Sequence, residues 1–112
     1  MRKTQPRKTK TTNKKKNARF RSGYAYLNCE IGPTRFEDER AVYIKRLDGG
    51  KTVAIANPRE VKPSNAVDTI VPGEAVVRVV SRIEGGFLID PPGESVNSAG
   101  RVPVPENLVR FL

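Results

Sequence analysis

Arg19, Phe20, Arg21, Tyr24 and Tyr26 interleave guanidinium groups with aromatic rings within a short stretch of the sequence. A guanidinium holds a phosphate, and an aromatic ring beside it offers a face on which an unpaired base stacks, worth ~1–3 kcal/mol per base. The chemistry these residue types support is therefore binding. Arg2, Lys3, Arg7, Lys8, Lys10, Lys14, Lys15 and Lys16 precede them, and no acidic residue occurs before position 23. Residues 1–22 thus hold ten of the 21 basic residues. The remaining 11 share residues 23–112 with all 12 acidic residues, so the body stands at −1 and the segment before it at +10. If most of those ten charges met phosphates, counterion release would give log K a salt slope of roughly −7 to −9, an affinity that grips nucleic acid without reading its sequence.

Other readings compete for this segment. A solubilising leader does not call for ten like charges in 22 residues. An organelle transit peptide is acid-poor and hydroxyl-rich in the same way, but has an apolar helical face that is missing here. An arm for an anionic membrane surface shares the cations and lacks the Trp- or Leu-rich face. Nucleic-acid binding is the reading the composition favours. With Phe20 its one aromatic residue, the segment cannot offset the entropy of ordering and is expected to be disordered when free. Extended, 22 residues reach ~75 Å; as a coil they average roughly 26 Å end to end.

Catalytic chemistry is poorly provided for. The sequence has no histidine, which removes the imidazole base, the Ser/His and Cys/His pairs, and histidine metal ligands. Cys29 is the single cysteine, so neither an internal disulfide nor a cysteine zinc cluster is available, and its alternation with apolar neighbours reads as a buried hydrophobe. Glu37, Asp38 and Glu39 are consecutive and flanked by Arg35 and Arg40, the pattern of a solvated loop rather than a metal site. Asp48-Gly49-Gly50 and Glu84-Gly85-Gly86 lack the Lys-Ser/Thr that completes a phosphate-binding loop. The expectation is a protein that is not an enzyme, with no cofactor, metal or small-molecule substrate.

The elements that would position these residues are strands. In "GYAYLNCEIG", Ala25, Leu27, Cys29 and Ile31 alternate with Tyr24, Tyr26, Asn28 and Glu30, the pattern of a half-buried strand. The tyrosines then either stack on bases or cover the outside of the body, in company with Phe36 or Tyr43. Residues 40–47 and 51–57 form a hairpin about Asp48, Gly49 and Gly50, with Val42, Ile44, Val53 and Ile55 as its core face. A longer connection follows from Asn57 through Asn65. A second hairpin pairs residues 74–83 with 87–90 about Gly85 and Gly86. In it Ala75, Val77 and Val79 face inward, while Val76 and Val80 make the outer face partly apolar, as expected of a strand covered on both sides or meeting a protein neighbour. Residues 91–100 read as a mobile polar loop. The chain then ends in a short strand, a 3₁₀ turn begun by Pro105, and a last strand carrying Leu108, Val109 and Phe111. No segment shows a helical stripe.

In Gly100, Val102, Pro103, Pro105 and Val109 the closing segment resembles the end of SH3-like small barrels, where a Gly, an apolar strand, a Pro-led 3₁₀ turn and a Val-containing strand shut the barrel. The similarity covers about 13 residues, or about 40 counting the preceding hairpin. There is no Trp and no acidic-aromatic signature near the front, so the resemblance implies architecture and not the binding of Pro-rich peptides. It also implies company: small barrels of this kind, like oligonucleotide-binding folds, recur with basic extensions in ribosomal and other RNA-associated proteins.

The expected fold class is all-β, a small SH3-like or OB-like barrel over residues 23–112 preceded by a disordered basic arm over residues 1–22. The expected function is that of a non-catalytic RNA-binding structural protein of ribosomal type, its partner RNA such as rRNA. Two alternatives stay open. One is a virion or nucleoid-type assembly protein that meets its neighbours through Val76 and Val80 and packages nucleic acid with its arm. The other is a protein-interaction module whose "PRKTKTTNKKK" serves localisation. No run approaches the ~18 apolar residues of a membrane span and no apolar region follows the basic start. The expected location is cytoplasmic, on a ribosome or in a virion, with an organelle or the nucleus as alternatives and no membrane partner.

Overall fold

Alternation along Gly23–Gly32 (β1) sets the inside and outside of the molecule. In the computed structural model, which describes residues 23–95 and 100–112, Ala25, Leu27 and Ile31 of this strand are fully buried, Cys29 is half-buried, and Tyr24 and Asn28 face solvent. The expected arm, residues 1–22, lies outside the described residues. The chain continues through Arg40–Lys45 (β2), Lys51–Ala56 (β3), a 3₁₀ turn at Pro58–Glu60, Val61–Lys62 (β4), Val71–Ile83 (β5), Gly86–Asp90 (β6), Glu94–Ser95 (β7), Val102–Pro105 (β8), a second 3₁₀ turn at Glu106–Leu108, and Val109–Phe111 (β9). Among the described residues no α-helix occurs, and the strands join in one antiparallel sheet with the order β7-β3-β2-β1-β5-β6-β8.

Closure comes from two long strands, each of which changes partner partway. One edge of β1 pairs with β5 from Gly23↔Val79 to Ile31↔Val71. Its other edge is shared by β9, at Ala25↔Phe111 to Leu27↔Val109, and β2, at Glu30↔Tyr43 to Gly32↔Ala41. The second edge of β5 is divided likewise between β4 and β6. Strands that serve two partners in succession coil the sheet toward a barrel. The Leu47 N–H donates to the Pro103 carbonyl (2.9 Å) and ties the β2–β3 hairpin to β8, leaving the barrel nearly closed. Leu27, Ile31, Val42, Ile44, Val77, Val79, Phe87, Ile89, Val102 and Val104 fill it.

The all-β class and the Pro105-led 3₁₀ turn stand as expected, and four local readings do not. The core face of β3 is Thr52, Ala54 and Ala56, while Val53 and Ile55 are only half-buried. Apolar residues occupy both faces of this strand, so alternation cannot choose between them. The register Val42↔Ala54 and Ile44↔Thr52, fixed by a loop of residues 46–50, decides. Gly86 is not in its turn but is the first residue of β6, paired with Ile83 and Pro105; Glu84 and Gly85 make the turn, with Gly85 at φ +83°. The loop after Asp90 contains a strand, β7, paired with Ala54 and Ile55. Gly93 permits it, because a side chain there would run into the Ile55 carbonyl.

Arg40, the fourth correction, is not part of a solvated loop. It is 6% exposed, and its Nη1 donates to the carbonyls of Glu37 and Glu39 (both 2.7 Å) and its Nη2 to that of Ser64 (3.3 Å). The guanidinium thereby joins the loop before β2 to the connection after β4, while Glu37 and Asp38 remain exposed.

Candidate nucleic-acid interface

Of the residues assigned to nucleic-acid binding, Arg2, Lys3, Arg7, Lys8, Lys10, Lys14, Lys15, Lys16, Arg19, Phe20 and Arg21 lie outside the described residues. Tyr24 and Tyr26 are on the outward face of β1. Tyr24 is 60% exposed and lies opposite Arg78 of β5. Arg78 is ion-paired to Asp90 (3.6 Å). Tyr24 is the freer surface of the two.

Tyr26 is half-buried and already has charged company. Lys62 Nζ stands 4.4 Å from its ring centroid and the Arg110 guanidinium carbon 4.7 Å. Both separations fall within cation–π range, worth ~0.5–1 kcal/mol each where exposed. Strand pairing puts them there: Arg110 of β9 is the direct cross-strand neighbour of Tyr26, and Lys62 of β4 is opposite Glu74 of β5. Arg110 reaches past Tyr26 to Glu74, where its Nη2 donates to both carboxylate oxygens (3.0 Å each). Tyr43, by contrast, is opposite Glu30 near the far end of β1, so the company of Tyr26 is cationic and not aromatic.

Beside this cluster runs a groove of about 570 Å³ whose lining includes Tyr26, Pro58, Arg59, Glu60, Lys62 and Val76. One wall is the 3₁₀ turn Pro58–Glu60, held by a reciprocal cap. The Arg59 N–H donates to Asn57 Oδ1 (2.9 Å), and the Asn57 N–H donates to Glu60 Oε1 (3.0 Å). Asn57 and Pro58 fit this role by type, since an Asn cap followed by Pro at the first position opens a helical turn. Val76 is half-buried in the groove, and the register shift between Val79 and Ser81 makes a bulge at Val80, also half-buried.

Elsewhere the described residues offer little for covalent chemistry. Burial, followed by the nearby Glu74 and Glu30 carboxylates, pushes the Cys29 thiol up to about 12, so it is protonated at any physiological pH. The Gly50 N–H and then Arg46 hold the Asp48 carboxyl below its usual range, which braces the β2–β3 turn. Among the described residues no cluster of three or more Cys, Asp or Glu could hold a metal ion, and no helix is long and apolar enough to cross a membrane.

The structure places Tyr26, singled out from the sequence, beside Lys62 and Arg110, which the sequence reading did not name, and on the same groove as Arg59. The cap signature Asn57-Pro58-Arg59-Glu60 could have placed Arg59 on a turn. Nothing in the sequence marks Lys62 and Arg110 as neighbours of Tyr26, because two separate strand registers bring them together. No family model matches this chain, and comparison with curated proteins and with solved structures finds no match.

Proposed function

We propose that this protein is a non-catalytic RNA-binding structural component of a ribonucleoprotein assembly. In this reading the basic segment 1–22 contacts phosphates and the barrel docks by shape. The observation that carries the reading is the division of charge, +10 over residues 1–22 against −1 over the rest. A body that is nearly neutral is not repelled by polyanions, and it leaves long-range attraction to the segment before it. That segment enters β1 at Gly23, next to Tyr24 and within one strand of Arg110. A strand of RNA drawn in by the arm would therefore arrive at the face where Tyr26, Lys62 and Arg110 meet.

The test is fluorescence anisotropy of a labelled single-stranded RNA across a salt series, with the full chain and with residues 1–22 deleted. Deletion is expected to remove the steep salt slope, from roughly −7 to −9 down to about −2 or less, with the thermal midpoint of the barrel unchanged. A truncated protein that bound RNA with the full slope would refute the role of the arm.

A further inference from the structure

The groove beside Tyr26 combines features that the basic segment does not explain. One carboxylate lines it, Glu60, and accepts the Asn57 N–H, while the neighbouring Glu74 is held by Arg110. Two cations border it as well, Arg59 and Lys62, both exposed, and among the described residues neither has a carboxylate within ion-pair distance. Two cations against one carboxylate leave the lining at a formal +1, although the body as a whole is at −1. The rest of the lining is of another character and includes Val76, Pro58 and Tyr26. An apolar and aromatic lining with two cations outside any ion pair matches a ligand that is part ring and part anion.

From this we infer that the groove is a subsite for one unpaired nucleotide, its base against Val76, Pro58 and Tyr26 and its phosphate between Arg59 and Lys62. The inference deepens the RNA-binding reading above and rests on it for the biological ligand. A volume of about 570 Å³ lies within the ~300–1,000 Å³ typical of small-ligand clefts. The base must be unpaired, because in a duplex its faces are stacked on its neighbours. The backbone that carries both cations is set in place before any ligand arrives. Arg59 rides on the capped 3₁₀ turn, and Lys62 has its backbone in the β4–β5 ladder and its ammonium seated over the Tyr26 ring. A pre-set backbone reduces the ordering cost of binding. The basic segment is not a competing occupant, since residues 1–22 contain no acidic group to offer these cations.

The experiment is a titration of the ¹⁵N-labelled full chain with adenosine 5′-monophosphate, with inorganic phosphate as the comparison, followed by amide chemical shifts. Saturable shifts are expected at residues 59–62 and at Tyr26 and Val76, with phosphate at least tenfold weaker. The double variant Arg59→Gln, Lys62→Gln should bind the nucleotide at least tenfold more weakly with an unchanged thermal midpoint. Shifts confined to residues 1–22 would overturn the subsite and leave the RNA-binding arm intact. Equal affinity for phosphate and nucleotide would overturn the base contact. Saturable shifts in the groove, in a protein whose RNA affinity does not depend on residues 1–22, would uphold the subsite and remove the arm.

Discussion

Cys29 shows at the scale of one residue how packing against a barrel core silences a nucleophile. Its thiol, raised from 9.0 to about 12 by burial and by the charges of Glu74 and Glu30, holds roughly a thousandfold less thiolate at neutral pH than a free cysteine. Alkylation by iodoacetamide at pH 8 is expected to be slow in the native protein and to accelerate by orders of magnitude in urea; equal rates would contradict the burial described. The linkage has a definite sign. The unfolded chain releases this proton first, so above about pH 9 the native state binds more protons, and stability falls as pH rises from about 9 toward about 12. Arg40 poses the opposite problem, a cation kept inside by backbone carbonyls. Its three donated hydrogen bonds join two loops, while its Nε is buried without a partner. Replacing it with Ala should cost about 2–3 kcal/mol in urea unfolding, and Arg40→Met, which keeps the stem and loses the bonds, should recover only part of that. If Met restored full stability, packing and not hydrogen bonding would be the role of Arg40.

At the scale of elements, strands whose two faces differ in character were legible and those with like faces were not. β1 was readable to the residue because Ala25, Leu27 and Ile31 contrast with Tyr24, Asn28 and Glu30. The closing strand, 3₁₀ turn and last strand were readable from the prolines at 103 and 105. β3 was misassigned because Val53 and Ile55 alternate with Ala54 and Ala56, and only a partner strand tells two apolar faces apart. β7 was invisible because two residues have no period. The adjacent glycines at 85 and 86 look equivalent in sequence and differ in the fold. Gly85 needs its φ of +83°, and a side chain added there would make ordinary contact, its Cβ 3.7 Å from the Leu47 side chain. A side chain on Gly86 would meet the Val104 carbonyl across the β6–β8 pairing. Gly85→Ala is expected to cost about 1 kcal/mol. Gly86→Ala should cost more, about 1–3 kcal/mol or greater, because the obstacle is backbone and cannot rotate away. Thermal unfolding of the two variants ranks them, and the reverse order would mean that β8 yields at Val104.

Across the whole molecule, what could be read in advance was charge, and what could not was convergence. The separation of +10 from −1 is a property of sequence order and needs no fold. The meeting of Tyr26, Lys62 and Arg110 needs β4 to pair with β5, β5 with β1, and β1 with β9, and no local pattern encodes all three. The pairing of β9 with β1 also has a bearing on time. Synthesis delivers the cationic segment first and β1 directly after it, yet β1 cannot complete its second edge until Val109–Phe111 has been made. The β1–β5 ladder can therefore form before the second edge of β1 is filled, and the barrel stays open along that edge until the closing strand arrives.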